Sequence, residues 1–96
     1  MKFRVKFTPN AQAHLRSFKK FEQQKIVDAI KQQLLNEPLT KTQNRKPLRN
    51  NPLSRWELRV EKYRVFYDVE IDVVEIKAIG HKEHNKLFIA GKEFTL

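Results

Sequence analysis

Ninety-six residues suffice for one small domain with a single core, and 40% hydrophobic and 10% aromatic content supply the side chains to bury in it. The absence of cysteine excludes disulfides, thiolate metal sites and cysteine catalysis. A formal charge of +9, from 20 Lys and Arg against 11 Asp and Glu, favours a polyanionic partner: RNA, DNA or an acidic protein segment.

The segment "KFRVKF" alternates strictly, with Phe3, Val5 and Phe7 on one face and Lys2, Arg4 and Lys6 on the other, which predicts a half-buried strand. This alternation is not the continuous apolar run of a signal peptide, and no run is long enough to span a membrane, so the expected location is cytoplasmic. Thr8 followed by Pro9 signals a helix start. Helical spacing runs through Ala11, Leu15 and Phe18, then through Phe21, Ile26, Val27, Ile30, Leu34 and Leu35. Lys19-Lys20 marks a break between two helices packed as a hairpin, and Asn36-Glu37-Pro38 ends the second, because the residue before proline is pushed out of the α region.

Residues 39–54, "LTKTQNRKPLRNNPLS", read as a surface loop suited to phosphate contacts, with Leu48 and Leu53 as anchors. "SRWELRVEKYRVFYDVE" then predicts a hairpin turning at Glu61-Lys62. Trp56, Leu58 and Val60 face Tyr67, Val65 and Tyr63 on a core side, where a packing role outweighs base stacking. On the other side Arg59 opposes Arg64, a destabilising pairing of like charges unless something compensates it. "DVVEIKAIG" continues the meander, with Val74, Ile76 and Ala78 expected on one face and Val73 and Ile79 on the other; a short strand pair is expected around Ala90-Gly91. The predicted fold is a single α+β domain over 1–96, in the order β-α-α-β-β-β: a twisted, mostly antiparallel sheet with an N-terminal helical hairpin on one face. The opposite face is expected to stay open to a ligand.

The sequence "WELRVEKYRVFYDV", joined to "VEIKAIGHK", resembles the RelE/ParE superfamily of toxins from type II toxin–antitoxin modules, over nearly the whole chain. The resemblance implies one of two activities: ribosome-dependent mRNA cleavage in the RelE branch, or inhibition of DNA gyrase in the ParE branch. A non-toxic member that retains antitoxin binding is a further alternative. In the ribonuclease branch the arginine of "YR", here Arg64, binds the reacting phosphate, and Lys82 stands where a basic residue is common.

Metal-free RNA cleavage by 2′-OH transesterification needs cations for the phosphorane and groups that move protons. Arg64 and Lys82 are the candidate charge stabilisers, and His81 and His84 the candidate acid and base; both histidines also have an ordinary reading as loop residues. Arg59, Arg45, Lys46, Arg49, Arg55, Phe66 and Phe88 are candidate RNA contacts, Arg59 being equally open to pairing with Glu57, Glu61 or Asp68, and Phe66 to packing under the tail. Phe88 stands where the family tends to carry a tyrosine, and a phenylalanine can stack but cannot donate a proton. His14 is expected at the surface of the first helix. No cofactor or metal is expected. The implied partners are an acidic antitoxin that covers Arg64 or displaces the tail beyond Gly80, together with the ribosome and mRNA or, alternatively, gyrase.

Overall fold

The computed structural model describes residues 2–95. Strand β1 (Arg4–Phe7) leads into helix α1 (Pro9–Arg16), and α2 (Lys20–Leu34) follows after a break at Ser17–Lys19. Thr8 starts α1 as its spacing predicts: Oγ1 accepts a hydrogen bond from Ala11 N at 3.1 Å and donates to the Lys77 carbonyl at 3.3 Å. Thr8→Ala should therefore cost about 1 kcal/mol for the lost cap, read as a drop of about 4–8 °C in thermal melting. Glu22 starts α2 by accepting from Lys19 N at 3.0 Å, leaving the basic pair at the break rather than inside a helix.

Strands β2 (Arg45–Pro47), β3 (Trp56–Val60), β4 (Tyr63–Glu70), β5 (Val73–Glu83), β6 (Lys86–Ile89) and β7 (Lys92–Phe94) form a sheet in that order. β1 departs from the antiparallel pattern: it pairs in parallel with the first part of β5, and β6 pairs with β5 further along, at His81–Glu83. The β3–β4 register is the expected one. Trp56, Leu58 and Val60 oppose Tyr67, Val65 and Tyr63, and Arg59 opposes Arg64, with Glu61 taking the left-handed conformation (φ +54°) that the two-residue turn requires.

The main core lies between helices and sheet, where Ala11, Ile26, Ile30 and Leu34 pack on Leu58, Val65, Tyr67, Val74 and Ile76. Burying each of the large aliphatic side chains contributes roughly 1.5–3 kcal/mol. Tyr67 closes the core edge by donating its hydroxyl to the Pro38 carbonyl at 2.6 Å. Phe21 is not part of this core and is 61% exposed. Nine residues separate it from Ile30, which at 3.6 residues per turn puts it on the opposite side of α2.

Two expectations fail for one local reason. Phe66 pairs with Ala78 and Tyr67 with Ile76, so Lys77 is an extra residue in β5. Such a bulge inverts the alternation beyond it. Ile79 therefore joins the main core, while Ala78, expected beside Ile76, points to the other face. That other face is not open either. Phe66, Ala78, Leu87 and Ile89 form a second apolar cluster with Leu48, Leu53 and Phe94 packed against it. The sheet is thus covered on one side by helices and partly on the other by the 48–53 loop and the β6–β7 hairpin.

Candidate active site

Arg64 is the only residue among the notable basic side chains of the hairpin to be nearly enclosed: it is 7% exposed. Its Nη1 donates to the carbonyls of Glu61 and Tyr63, at 2.7 and 2.8 Å, which fixes the guanidinium at the β3–β4 turn. Nε lies 3.8 Å from Oε1 of Glu57, itself 5% exposed. This ion pair answers the opposed arginines: Glu57 compensates Arg64 from the same face, and Arg59 turns its side chain to solvent. Burial lowers the Arg64 pKa, Glu57 opposes that shift and Arg59 adds to it; an arginine remains protonated regardless.

Among the described residues Nε and Nη2 make no hydrogen bond, and no buried side-chain nitrogen lacks a partner, so both atoms keep some contact with solvent beside the Glu57 carboxylate. They form an edge of the kind that binds carboxylates and phosphates in bidentate fashion. Lys82 shares the face of Arg64, since Arg64 pairs with Gly80 and side chains alternate along β5. Lys82, Glu57, Lys46, Arg49 and Asn51 line a cleft of about 410 Å³. Its outer wall is the loop after β2, held by Asn51: Nδ2 donates to the carbonyls of Arg49 (2.6 Å) and Ser54 (3.0 Å), and Oδ1 accepts from Leu53 N (2.8 Å) and Ser54 N (3.2 Å). Asn51 was not singled out by the sequence, although Asn before proline in "NNP" is the signal of such a side-chain turn.

The remaining candidates separate from this cleft. Arg45 is buried and pinned, its guanidinium donating to the carbonyls of Thr40 and Gln33, which gives it a role in holding the 40–45 loop rather than RNA. Phe66 is wholly buried in the second cluster and offers no ring face to a base. Arg55 stands at the other end of the sheet, beside a larger groove, about 810 Å³, whose lining balances four basic against four acidic side chains and does not include Lys82. A groove of balanced charge is less suited to a polyanion than the smaller, net cationic cleft.

The two loop histidines do not meet Arg64. His81 opposes Tyr63 on the helix side of the sheet, stacked on Phe88 (centroids 5.6 Å apart, 22° between planes) and edge-on to Phe18 at 6.2 Å. Phe88 therefore lies across the sheet from the cationic cleft. His84 sits exposed in the β5–β6 turn, where it and Asn85 have φ of +52° and +66°. Tyr63 offers no near-neutral proton, because burial and its hydrogen bond to Glu22 push its pKa up to about 12.

His14 is half-buried rather than fully exposed. Its Nδ1 accepts a hydrogen bond from Ile79 N at 3.2 Å, and burial lowers its pKa from the ordinary 6.5. The folded state therefore prefers the neutral ring. The stability that this contributes is complete above about pH 6.5 and is lost as pH falls through the depressed folded value. Melting temperature should thus decline between pH 7.5 and 5, and that decline should shrink in His14→Gln.

Fold and cleft together define a class: a small α+β domain whose rigid sheet presents fixed cations along one end. Residues 5–86 match the family described as the ParE toxin of type II toxin–antitoxin system, parDE, and the chain belongs to that family. It is similar in structure to a chain of the toxin–antitoxin complex RelBE2 from Mycobacterium tuberculosis, with a TM-score of 0.73 and 25% identity over 85% of this chain and 100% of that one. No curated protein is significantly similar to it in sequence. The protein is a toxin of the type II toxin–antitoxin class. Among the described residues no helix is long and apolar enough to cross a membrane, and no three His, Asp or Glu side chains converge as metal ligands do.

Proposed function

We propose that this toxin is a ribosome-dependent, metal-independent mRNA endoribonuclease. The observation that carries the reading is Arg64, immobilised through Nη1 on the same sheet face as Lys82 and paired with Glu57, which lines the cleft beside it. A guanidinium held in this way grips two oxygens of a phosphate without first losing conformational freedom, and it stabilises the extra negative charge of a phosphorane in a poorly solvated site. Lys82 adds a second charge from the same face, and Lys46, Arg49 and exposed Arg59 suit the flanking phosphates.

The cleft has no aromatic platform, because Phe66 is buried and Phe88 faces the other way. Contacts to phosphate position RNA but do not read its sequence. The placement of the cut must then come from an external template, which is the physical reason for a requirement for the ribosome. The same cationic surface suits an acidic antitoxin as the inhibitory partner, one that would cover Arg64 or displace the tail beyond Gly80.

One observation favours a second reading, in which the toxin binds DNA gyrase and performs no chemistry: His81 and His84 do not converge on Arg64. Primer extension on a defined message in a translating cell-free system separates the two. Cuts phased to codons and dependent on ribosomes are expected. Intact message, with gyrase-linked DNA breaks in treated cells, would overturn the ribonuclease reading in favour of the second.

A further inference from the structure

We propose that Glu57 is the general base of this toxin, taking the proton of the ribose 2′-OH. The inference rests on the ribonuclease reading and supplies the role that the histidines, by their positions, leave vacant. Glu57 is the single carboxylate among the residues lining the cationic cleft; the other ionisable side chains there, Lys46, Arg49 and Lys82, are cations that cannot accept a proton near neutral pH.

Position supports the assignment as well as identity. Glu57 precedes Leu58 on β3 and faces the same side as Arg64, with Oε1 at 3.8 Å from Arg64 Nε. That separation is too long for a hydrogen bond. The carboxylate therefore faces the Nε side of the guanidinium as an ion-pair partner without a hydrogen bond to it, next to the Nη2 that would meet a phosphate oxygen. A phosphate gripped by Arg64 carries its adjacent 2′-OH within one sugar of the same spot, so the nucleophile falls next to a fixed acceptor. The desolvation of an acid only 5% exposed is offset by Arg64, and the negative charge it brings to an anion site is outweighed by the surrounding cations.

The step balances without a co-reactant. The Glu57 carboxylate takes the 2′-OH proton as the 2′-oxygen bonds to phosphorus. The bond from phosphorus to the 5′-oxygen breaks, and the leaving oxygen takes a proton from the Lys82 ammonium. The products are a 2′,3′-cyclic phosphate and a 5′-hydroxyl, and solvent restores both side chains.

The test compares wild type, Glu57→Gln and Glu57→Asp on translating ribosomes, with binding to a short single-stranded RNA followed by fluorescence anisotropy. Glu57→Gln should slow cleavage roughly 100-fold or more, the range for loss of a general base, while binding the RNA as tightly as wild type or more so. Loss of rate with retained binding is what a merely structural role would not produce. Glu57→Asp keeps the charge and the pairing with Arg64, so it should remain folded and recover part of the rate even where the glutamine variant is unstable. Cleavage by folded Glu57→Gln within about threefold of wild type, or an aspartate variant no better than the glutamine one, would overturn the assignment while leaving the ribonuclease reading intact. A wild-type protein that cuts nothing overturns both.

Discussion

Arg64→Ala is expected to abolish message cleavage, with a loss of roughly 100- to 1,000-fold, the size seen when one preorganised stabiliser of transition-state charge is removed. The same change removes the charge that compensates Glu57. With both side chains under a tenth exposed, an unpaired Glu57 costs on the order of 3 kcal/mol, so the alanine variant will melt earlier as well as act more slowly. Arg64→Lys separates the two effects. A lysine keeps a positive charge near Glu57 but cannot reproduce a planar fork that holds two carbonyls with one nitrogen and, on the proposed reading, would meet a phosphate with its remaining nitrogens. Cleavage should therefore stay low in Arg64→Lys while much of the melting temperature returns. Single-turnover cleavage and thermal melting on the same preparations check this, and an active lysine variant would show that charge alone, not geometry, is what the site needs.

Gly80→Ala should be the most destabilising single-methyl addition at the sheet. Gly80 lies in β5 where β6 crosses closely: a Cβ there would overlap the Phe88 carbonyl oxygen and come within 2.7 Å of Ile89 Cγ1. The first neighbour is backbone, so no rotamer change relieves the clash, and β6 must shift as a whole. Overpacking of this kind costs about 1–3 kcal/mol, or roughly 5–20 °C of melting temperature in a domain of this size. Because Leu87 and Ile89 cover Phe66 and Ala78, the loss should be local, appearing as faster amide exchange across Leu87–Phe94. Gly91 provides the contrast. Its φ is +78° and a Cβ would meet nothing within 4 Å, so Gly91→Asn carries only the backbone strain of a left-handed residue, least for Asn, and should cost less than Gly80→Ala. Equal melting of the Gly80 and Gly91 variants would contradict the account of β6. The matched family segment ends at residue 86, so the side chains that seal this face, Leu87, Ile89 and Phe94, lie beyond it.

The elements legible in the sequence are those built from local physics. Alternation identifies β1 as a strand and sets the β3–β4 hairpin in register with Arg59 opposite Arg64, and the Thr8-Pro9 pair marks the start of α1. The candidate site was only half legible. Arg64 stands in a motif, but nearness of the histidines along the chain does not bring them to it, because adjacent residues of a strand point to opposite faces. Phe66 shares the arginines' face, where alternation alone leaves it open to a base or packed under the tail; the structure packs it.

By itself, then, the sequence determined the α+β architecture, the cationic surface and which residues share each uninterrupted strand face, because periodicity, capping and turn preferences act over a few neighbouring residues. Only the tertiary structure decided the face of Ala78 and Ile79, the enclosure of Arg64 beside Glu57, and the separation of His81 from both. Each depends on a contact between distant segments: the bulge at Lys77, the cover supplied by the 48–53 loop and the β6–β7 hairpin, and the helices that claim the opposite side of β5. Burial is a property of what finally packs against a residue, and no local pattern contains it.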